Sequence, residues 1–213
     1  VANSSEDHIA KIVFLWWGLC VIYASLRFDD ACHIPPNQLV MKSEGLFGVA
    51  WQTKVERRRR TKFIVPFVSF SGCDWLQKEW EAFGKVRLER DFWIPDLATP
   101  TEFKRRPPNY QRSLKWLRFW ANAEIDGALR EQRIEKTMFD QLKNLIPNLT
   151  WHSARVTLLD AAVHHGASEQ QVGLQANWKN PGPLVLKYTQ SVDHACSHGS
   201  RFARTTPVAL VSR

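Results

Sequence analysis

Thr150-Trp-His-Ser-Ala-Arg155 is the stretch that decides how the rest of the chain is interpreted. Pro147 stands just before it, and a threonine ahead of a helical run is a typical N-cap, so the pattern predicts a helix that begins here. Residues three apart on a helix project from one face, so His152 and Arg155 can reach the same ligand. An arginine fork beside an imidazole suits a phosphate group, whose oxygens accept hydrogen bonds from both.

Two further candidates follow toward the C-terminus. Trp178 closes the segment His165-Gly-Ala-Ser-Glu-Gln-Gln-Val-Gly-Leu-Gln-Ala-Asn-Trp178, and Tyr188 lies in Leu186-Lys-Tyr188-Thr-Gln190. An indole N–H can donate to a phosphate, and a phenolic oxygen can attack it. Taken singly, each residue has an ordinary explanation, because the chain has ten tryptophans and a lone tyrosine is usually a packed ring. The joint order and spacing favour a shared functional role.

In that order and spacing, these segments resemble the C-terminal active site of tyrosine recombinases, the phage-integrase-like enzymes that cut and rejoin DNA. They are similar to the family's T-x-H-x-x-R helix, to its segment that ends in histidine or tryptophan, and to its nucleophile helix. The resemblance implies that Tyr188 attacks a DNA phosphate, leaving a 3′-phosphotyrosine and a free 5′ hydroxyl. His152, Arg155 and Trp178 would stabilise the charge that develops on the phosphate.

The resemblance also implies a domain organisation. It covers about residues 9–192 and implies a catalytic domain over residues 1–192, followed by a C-terminal tail over residues 193–213. The family normally carries an N-terminal helical domain that clamps the duplex, and we expect that domain to be absent here. Bond energy is conserved in the protein–DNA ester, so no metal, ATP or other cofactor is expected.

A second arginine of the site is predicted near the start of the chain. Ala24-Ser-Leu-Arg27-Phe-Asp-Asp30 resembles the family's G-x-R-x-x-E segment, in which the arginine grips the phosphate and the acid supports the site. Here Asp30 replaces the glutamate and Ser25 replaces the glycine. The apolar run that begins at Ile12 and ends at Leu26 predicts a buried core helix whose last turn presents Arg27, with membrane insertion as the minor alternative because the run is short for a bilayer.

The remaining catalytic residue is predicted on a hairpin. Trp51-Gln-Thr-Lys54, followed by Ile64-Val-Pro66, resembles the hairpin whose lysine protonates the leaving 5′ oxygen in the family. A lysine suits this task because burial or a neighbouring cation can lower its pKa. Lys54 is the first candidate, and Lys62 competes because the intervening turn is long.

The predicted fold is mainly α with a small antiparallel three-stranded β-sheet, as in an integrase-like catalytic core. The resemblance supplies this architecture, whereas periodicity alone indicates only helices with a hairpin region. The predicted elements are strands at residues 38–42, 47–53 and 61–67, a loop or insertion at 94–109, and helices at 110–121 and 130–145. Within the first of these helices, Leu114, Trp116, Leu117, Phe119 and Trp120 are expected to pack in the core.

Composition agrees with double-stranded DNA as the partner. Lysine and arginine outnumber the acids 29 to 21, which gives a net charge of +8 and a pI of about 9.5. The expected phosphate-binding residues are Arg57, Arg58, Arg59, Arg60, Lys62, Lys104, Arg105 and Arg106. The four consecutive arginines could equally be a solvated turn or a nuclear-import tag. The resemblance allows a dimer or tetramer on DNA.

Several alternatives stay open at this stage. A type IB topoisomerase shares this chemistry, and a mobile-element relic could bind DNA without cutting it. The four cysteines show no Cys-x-x-Cys spacing and predict reduced thiols in an intracellular protein, nuclear if the source is eukaryotic. His194-Ala-Cys196-Ser-His198 offers only three close metal ligands, so its spacing is attributed to chance.

Overall fold

The computed structural model describes residues 6–50, 61–67, 75–86 and 89–164, together with the single positions 166, 168 and 170. Its elements, in chain order, are α1 (Glu6–Tyr23), α2 (Phe28–Cys32), β1 (Leu39–Lys42), β2 (Gly45–Ala50), β3 (Thr61–Pro66), α3 (Leu76–Gly84), β4 (Asp96–Leu97), β5 (Phe103–Lys104), α4 (Tyr110–Arg130), α5 (Lys136–Leu145) and α6 (Trp151–His164). The predicted class, mainly helical with a small antiparallel three-stranded sheet, is confirmed. Chain contacts separate two compact units, residues 1–155 and 156–213, and every contact described below lies within the first.

α1 is the central helix of the first unit. From Ile12 to Tyr23 it carries no charged residue, as expected of a helix that packs on several sides. Trp16 and Trp17 are almost fully buried and contact rings on both sides, including Phe83 of α3 at 5.0 Å and Trp151 at 5.1 Å between ring centroids. The prediction of a buried core helix is therefore confirmed. No helix in the described part of the chain is long and apolar enough to cross a membrane.

The prediction that Arg27 lies in the last turn of α1 is wrong, because the helix ends at Tyr23. The Ser25 amide donates to the Ile22 carbonyl (2.9 Å) and the Leu26 amide to the Val21 carbonyl (3.0 Å), a paired termination known as a Schellman motif. Ser25 takes the left-handed conformation that this motif requires, with φ at +48°. The chain therefore turns sharply, and Arg27 lies in extended backbone immediately before α2.

The three-stranded sheet has the order β1-β2-β3 with both pairs antiparallel. Alternation places Phe63 and Val65 in the core and leaves Ile64 exposed, as expected for a sheet with one solvated face. Gly48 lies against the Phe63 ring, where an added Cβ would come within 2.2 Å of it. The observed bounds of β1 and β3 and the start of β2 lie within two residues of the predicted ones. The predicted end of β2, at residue 53, lies outside the described residues.

The middle of the chain is more ordered than predicted. Residues 94–109, expected to form a loop or insertion, contain the two-stranded sheet β4–β5, and Ile94 and Leu97 are buried. α4 continues to Arg130, well beyond the predicted end at Ala121, and stops with the same termination as α1. Gln132 is its left-handed residue, with φ at +56°. Neither helix end carries the glycine that would have signalled it in the sequence.

Candidate functional site

Arg27, His152 and Arg155, three of the predicted catalytic residues, line one cleft of about 160 Å³. They come from distant parts of the chain, since Arg27 precedes α2 whereas His152 and Arg155 are in the first turns of α6. His152 is exposed, Arg27 is partly buried, and the Arg155 residue is only 9% exposed. The remaining residues of the cleft wall are Phe28, Asp29, Tyr110 and Trp151.

The start of α6 is held by a reciprocal cap. The Ser153 amide donates to Thr150 Oγ1 (2.9 Å), and the Thr150 amide donates to Ser153 Oγ (2.7 Å). This is a capping box in which serine takes the place more often held by glutamate or glutamine. The predicted cap at Thr150 is confirmed, and it fixes the first turn from which His152 projects.

Arg118 of α4 anchors the chain just before that cap. Its Nε and Nη2 both donate to the Leu149 carbonyl, at 3.0 and 2.8 Å. A carbonyl that accepts two charge-assisted hydrogen bonds is held in both position and direction. The guanidinium of Arg118 thus has partners within the protein.

An aromatic layer joins the two sides of the cleft. The Trp151 ring lies 5.4 Å from that of Phe28 and 5.1 Å from that of Trp17, and it touches α1 at Gly18, where an added Cβ would be 3.5 Å away. Phe28 in turn meets Tyr110 edge to face at 5.1 Å. Phe28 follows Arg27 and Trp151 precedes His152, so packing of the neighbouring rings determines how the two basic residues approach each other.

Four residues of the cleft wall were not predicted as site residues, and two of them, Tyr110 and Asp29, carry polar groups. Tyr110, the first residue of α4, and Asp29, in the first turn of α2, both contribute to its wall. Asp29 occupies an unspecified position of the segment around Arg27, and Tyr110 belongs to no motif. The packing of Phe28 against Tyr110 helps to bring the start of α4 to this place. Asp30, predicted as the supporting acid, is buried on α2 and is not among the residues of the cleft wall.

Several predicted residues lie outside the described part of the chain. These are Lys54, Trp178, Tyr188 and the four arginines Arg57, Arg58, Arg59 and Arg60. Lys62, the alternative to Lys54, is described: it is exposed on β3 opposite Val49 and does not line the cleft.

The three consecutive basic residues Lys104, Arg105 and Arg106 differ in their contacts. Lys104 is exposed, and Arg105 donates to the Glu89 carbonyl at 3.4 Å. Arg106 donates through Nε to Asp96 Oδ2 (2.8 Å), and Arg112 pairs with the same oxygen. The Asp96 side chain is fully buried, whereas those of Arg106 and Arg112 are 49% and 35% exposed. Arg106 therefore has a structural partner, and its role in DNA binding stays a prediction.

The two described cysteines behave as core residues. Cys20 and Cys32 are free thiols and both are buried. Burial raises the pKa of each thiol well above its ordinary value, and for Cys32 the nearby charges of Asp29 and Asp96 raise the pKa further. Such thiols are poor nucleophiles and poor metal ligands near neutral pH.

The chain matches no protein-family model, and no curated protein is significantly similar to it.

Proposed function

We propose that this protein cleaves and rejoins DNA strands through a 3′-phosphotyrosyl intermediate, as in site-specific recombination or DNA integration. The observation that carries the proposal is the convergence of Arg27, His152 and Arg155 on one cleft. The spacing of His152 and Arg155 predicts that they share a ligand, and the resemblance to tyrosine recombinases adds Arg27 to the same task. Their convergence in the fold is what such a task requires.

The cleft wall has the chemistry to hold one phosphodiester. Three basic side chains and one acidic side chain line it, which favours an anion. The arginine forks at positions 27 and 155 would bind non-bridging oxygens, and His152 would supply a further donor from the helix face that it shares with Arg155. These groups would act most strongly on the extra charge that develops as the phosphorus becomes pentacoordinate.

In the proposed reaction, the Tyr188 oxygen forms a bond to phosphorus while the bond to the 5′ oxygen breaks. The phenol gives its proton to solvent, Lys54 gives one to the leaving 5′ oxygen, and Lys54 then regains a proton from solvent, so the proton count of the step balances. Trp178 would donate its indole N–H to the phosphate. Rejoining reverses the step with a different 5′ hydroxyl, and phosphate-binding residues elsewhere on the basic surface would hold the duplex.

Covalent trapping tests this proposal. The chain and its Tyr188→Phe variant are each mixed with nicked duplexes of randomised sequence in the presence of a chelator and are then run on a denaturing gel. We expect a DNA-shifted band from the wild-type chain alone. An adduct that survives the Tyr188→Phe change would remove Tyr188 as the nucleophile.

The same assay distinguishes the proposed function from two alternatives, a type IB topoisomerase and a DNA-binding protein that does not cut DNA. Adducts on any DNA, together with relaxation of supercoiled plasmid that has no particular site, would assign a topoisomerase activity. Salt-sensitive DNA binding with no adduct would assign a binding protein without strand cleavage.

A further inference from the structure

Tyr110 is a hydroxyl-bearing residue in the cleft that the proposed reaction does not yet use. It lies in the same wall as Arg27, His152 and Arg155. Its ring rests edge to face on Phe28 at 5.1 Å, so the aromatic part of the side chain has an apolar neighbour. Partly buried tyrosines normally combine such a packed ring with a hydrogen-bonded hydroxyl.

The hydroxyl of Tyr110 makes no hydrogen bond with any residue that the structure describes. Since the other polar side chains of the cleft are mainly cationic donors, the cleft offers the hydroxyl few acceptors of its own. A bound phosphate would bring acceptors to it. A phenylalanine at this position would pack on Phe28 equally well, so ring packing alone does not explain the hydroxyl.

The position of Tyr110 is fixed before any ligand arrives. Asn109 caps α4, accepting at Oδ1 from the Arg112 amide (3.0 Å) and at its carbonyl from the Ser113 amide (2.8 Å). The Arg112 side chain is tied in addition to the buried Asp96. A donor that is already in place costs little reorganisation when charge develops on the ligand.

We propose that the Tyr110 hydroxyl donates a hydrogen bond to a non-bridging oxygen of the phosphate held by Arg27 and Arg155. This inference rests on the proposed function, because it concerns the same phosphate. Tyr110 is assigned as a donor and not as the attacking group. Its loss therefore slows formation of the adduct without changing the residue that carries the DNA.

The test compares Tyr110→Phe with Tyr23→Phe as the matched control. Tyr23 is the other tyrosine among the described residues, and its ring packs on Trp75 away from the cleft wall. We expect the single-turnover rate of adduct formation to fall about 10- to 100-fold in Tyr110→Phe and to be unchanged in Tyr23→Phe. The melting temperatures of both variants are measured in parallel, because a purely structural role would lower stability without this selective loss of rate.

Three results distinguish a failure of the Tyr110 inference from a failure of the proposed function. Equal rates in the wild type and in Tyr110→Phe overturn the inference and leave the proposed function standing. Complete loss of the adduct in Tyr110→Phe, with Tyr188→Phe still active, would make Tyr110 the nucleophile and overturn both assignments. If the wild type forms no adduct, titration with inorganic phosphate decides: weaker binding by Tyr110→Phe supports the contact, and equal binding, or none by either protein, overturns it.

Discussion

Two groups of arginines in this protein have different surroundings. Arg106 and Arg112 meet at the carboxylate of Asp96, whose side chain is fully buried, so both guanidinium groups share one acidic partner within the protein. Arg27 and Arg155 meet His152 at a cleft, and among the described residues that line it the acidic side chain is the exposed Asp29. The first group ties a hairpin to the start of α4, whereas the second lines a space large enough for a ligand.

This difference shows why a basic run in a sequence does not by itself identify a binding site. Lys104, Arg105 and Arg106 form the more conspicuous cluster in the sequence, yet Arg106 pairs with a buried acid. Arg27 and Arg155 stand alone in the sequence and come together only in the fold. The following variants test whether the two groups differ in function as they do in surroundings.

The largest effect is expected from Arg27→Lys. Lysine keeps the charge but cannot present two parallel donors to a phosphate, so the rate of adduct formation should fall about 100- to 1,000-fold. The matched change in the other group, Arg106→Lys, should leave the single-turnover rate at saturating DNA within about twofold of the wild type, because it removes no donor from the scissile phosphate; a role of Arg106 in DNA binding would change the affinity instead. The comparison would fail if both variants lost activity equally in the same single-turnover assay.

Asp96→Asn should have the largest effect on stability. It removes the charge that Arg106 and Arg112 share, and the free energy of unfolding should fall by about 3 kcal/mol. Urea unfolding measures this change. Asp140→Asn is the control, since Asp140 forms an exposed pair with Lys136 on α5 and should change stability by less than about 0.5 kcal/mol. Similar losses in the two variants would mean that the Asp96 cluster does not stabilise the hairpin.

Arg118→Met should lower stability by less than Asp96→Asn does. Methionine retains much of the apolar stem but removes both hydrogen bonds to the Leu149 carbonyl, so stability should fall by about 2 kcal/mol. Because the start of α6 is loosened, phosphate affinity should fall as well. An unchanged unfolding midpoint would show that the cap formed by Thr150 and Ser153 holds the helix without this anchor.

Ser25→Gly should produce the smallest change in stability, and it should raise the free energy of unfolding. Glycine adopts the left-handed conformation without strain, and the change also removes a buried hydroxyl that has no partner among the described residues. We expect a gain of about 1 kcal/mol in the free energy of unfolding. Gln132→Gly relieves the same backbone conformation at an exposed position, so a smaller gain there would isolate the contribution of the hydroxyl.

The sequence predicted the class of the fold better than the ends of its helices. The strand-like runs indicated a hairpin region and the apolar run identified α1, because both patterns follow directly from burial, whereas the three-stranded arrangement came from the resemblance. The helix ends were misplaced because Ser25 and Gln132 occupy positions where glycine is the usual signal. Phe119 was expected in the core and is half exposed, since it lies on the outer side of a helix whose buried face is at Leu114 and Trp120.

The sequence predicted those parts of the candidate site that depend on the geometry of a single helix. His152 and Arg155 share a face because they are three apart on α6, which the sequence alone indicates. Tyr110 reaches the cleft through long-range contacts, among them the packing of Phe28 against its ring, and such contacts leave no trace in local spacing.

A double-mutant cycle tests the central claim most directly. Single-turnover adduct formation on nicked DNA is measured for the wild type, Arg27→Lys, Arg155→Lys and the double variant. If both arginines hold one phosphate, the loss in the double variant should differ from the sum of the single losses by more than about 0.5 kcal/mol. Strictly additive losses, or no adduct from the wild type, would contradict the account.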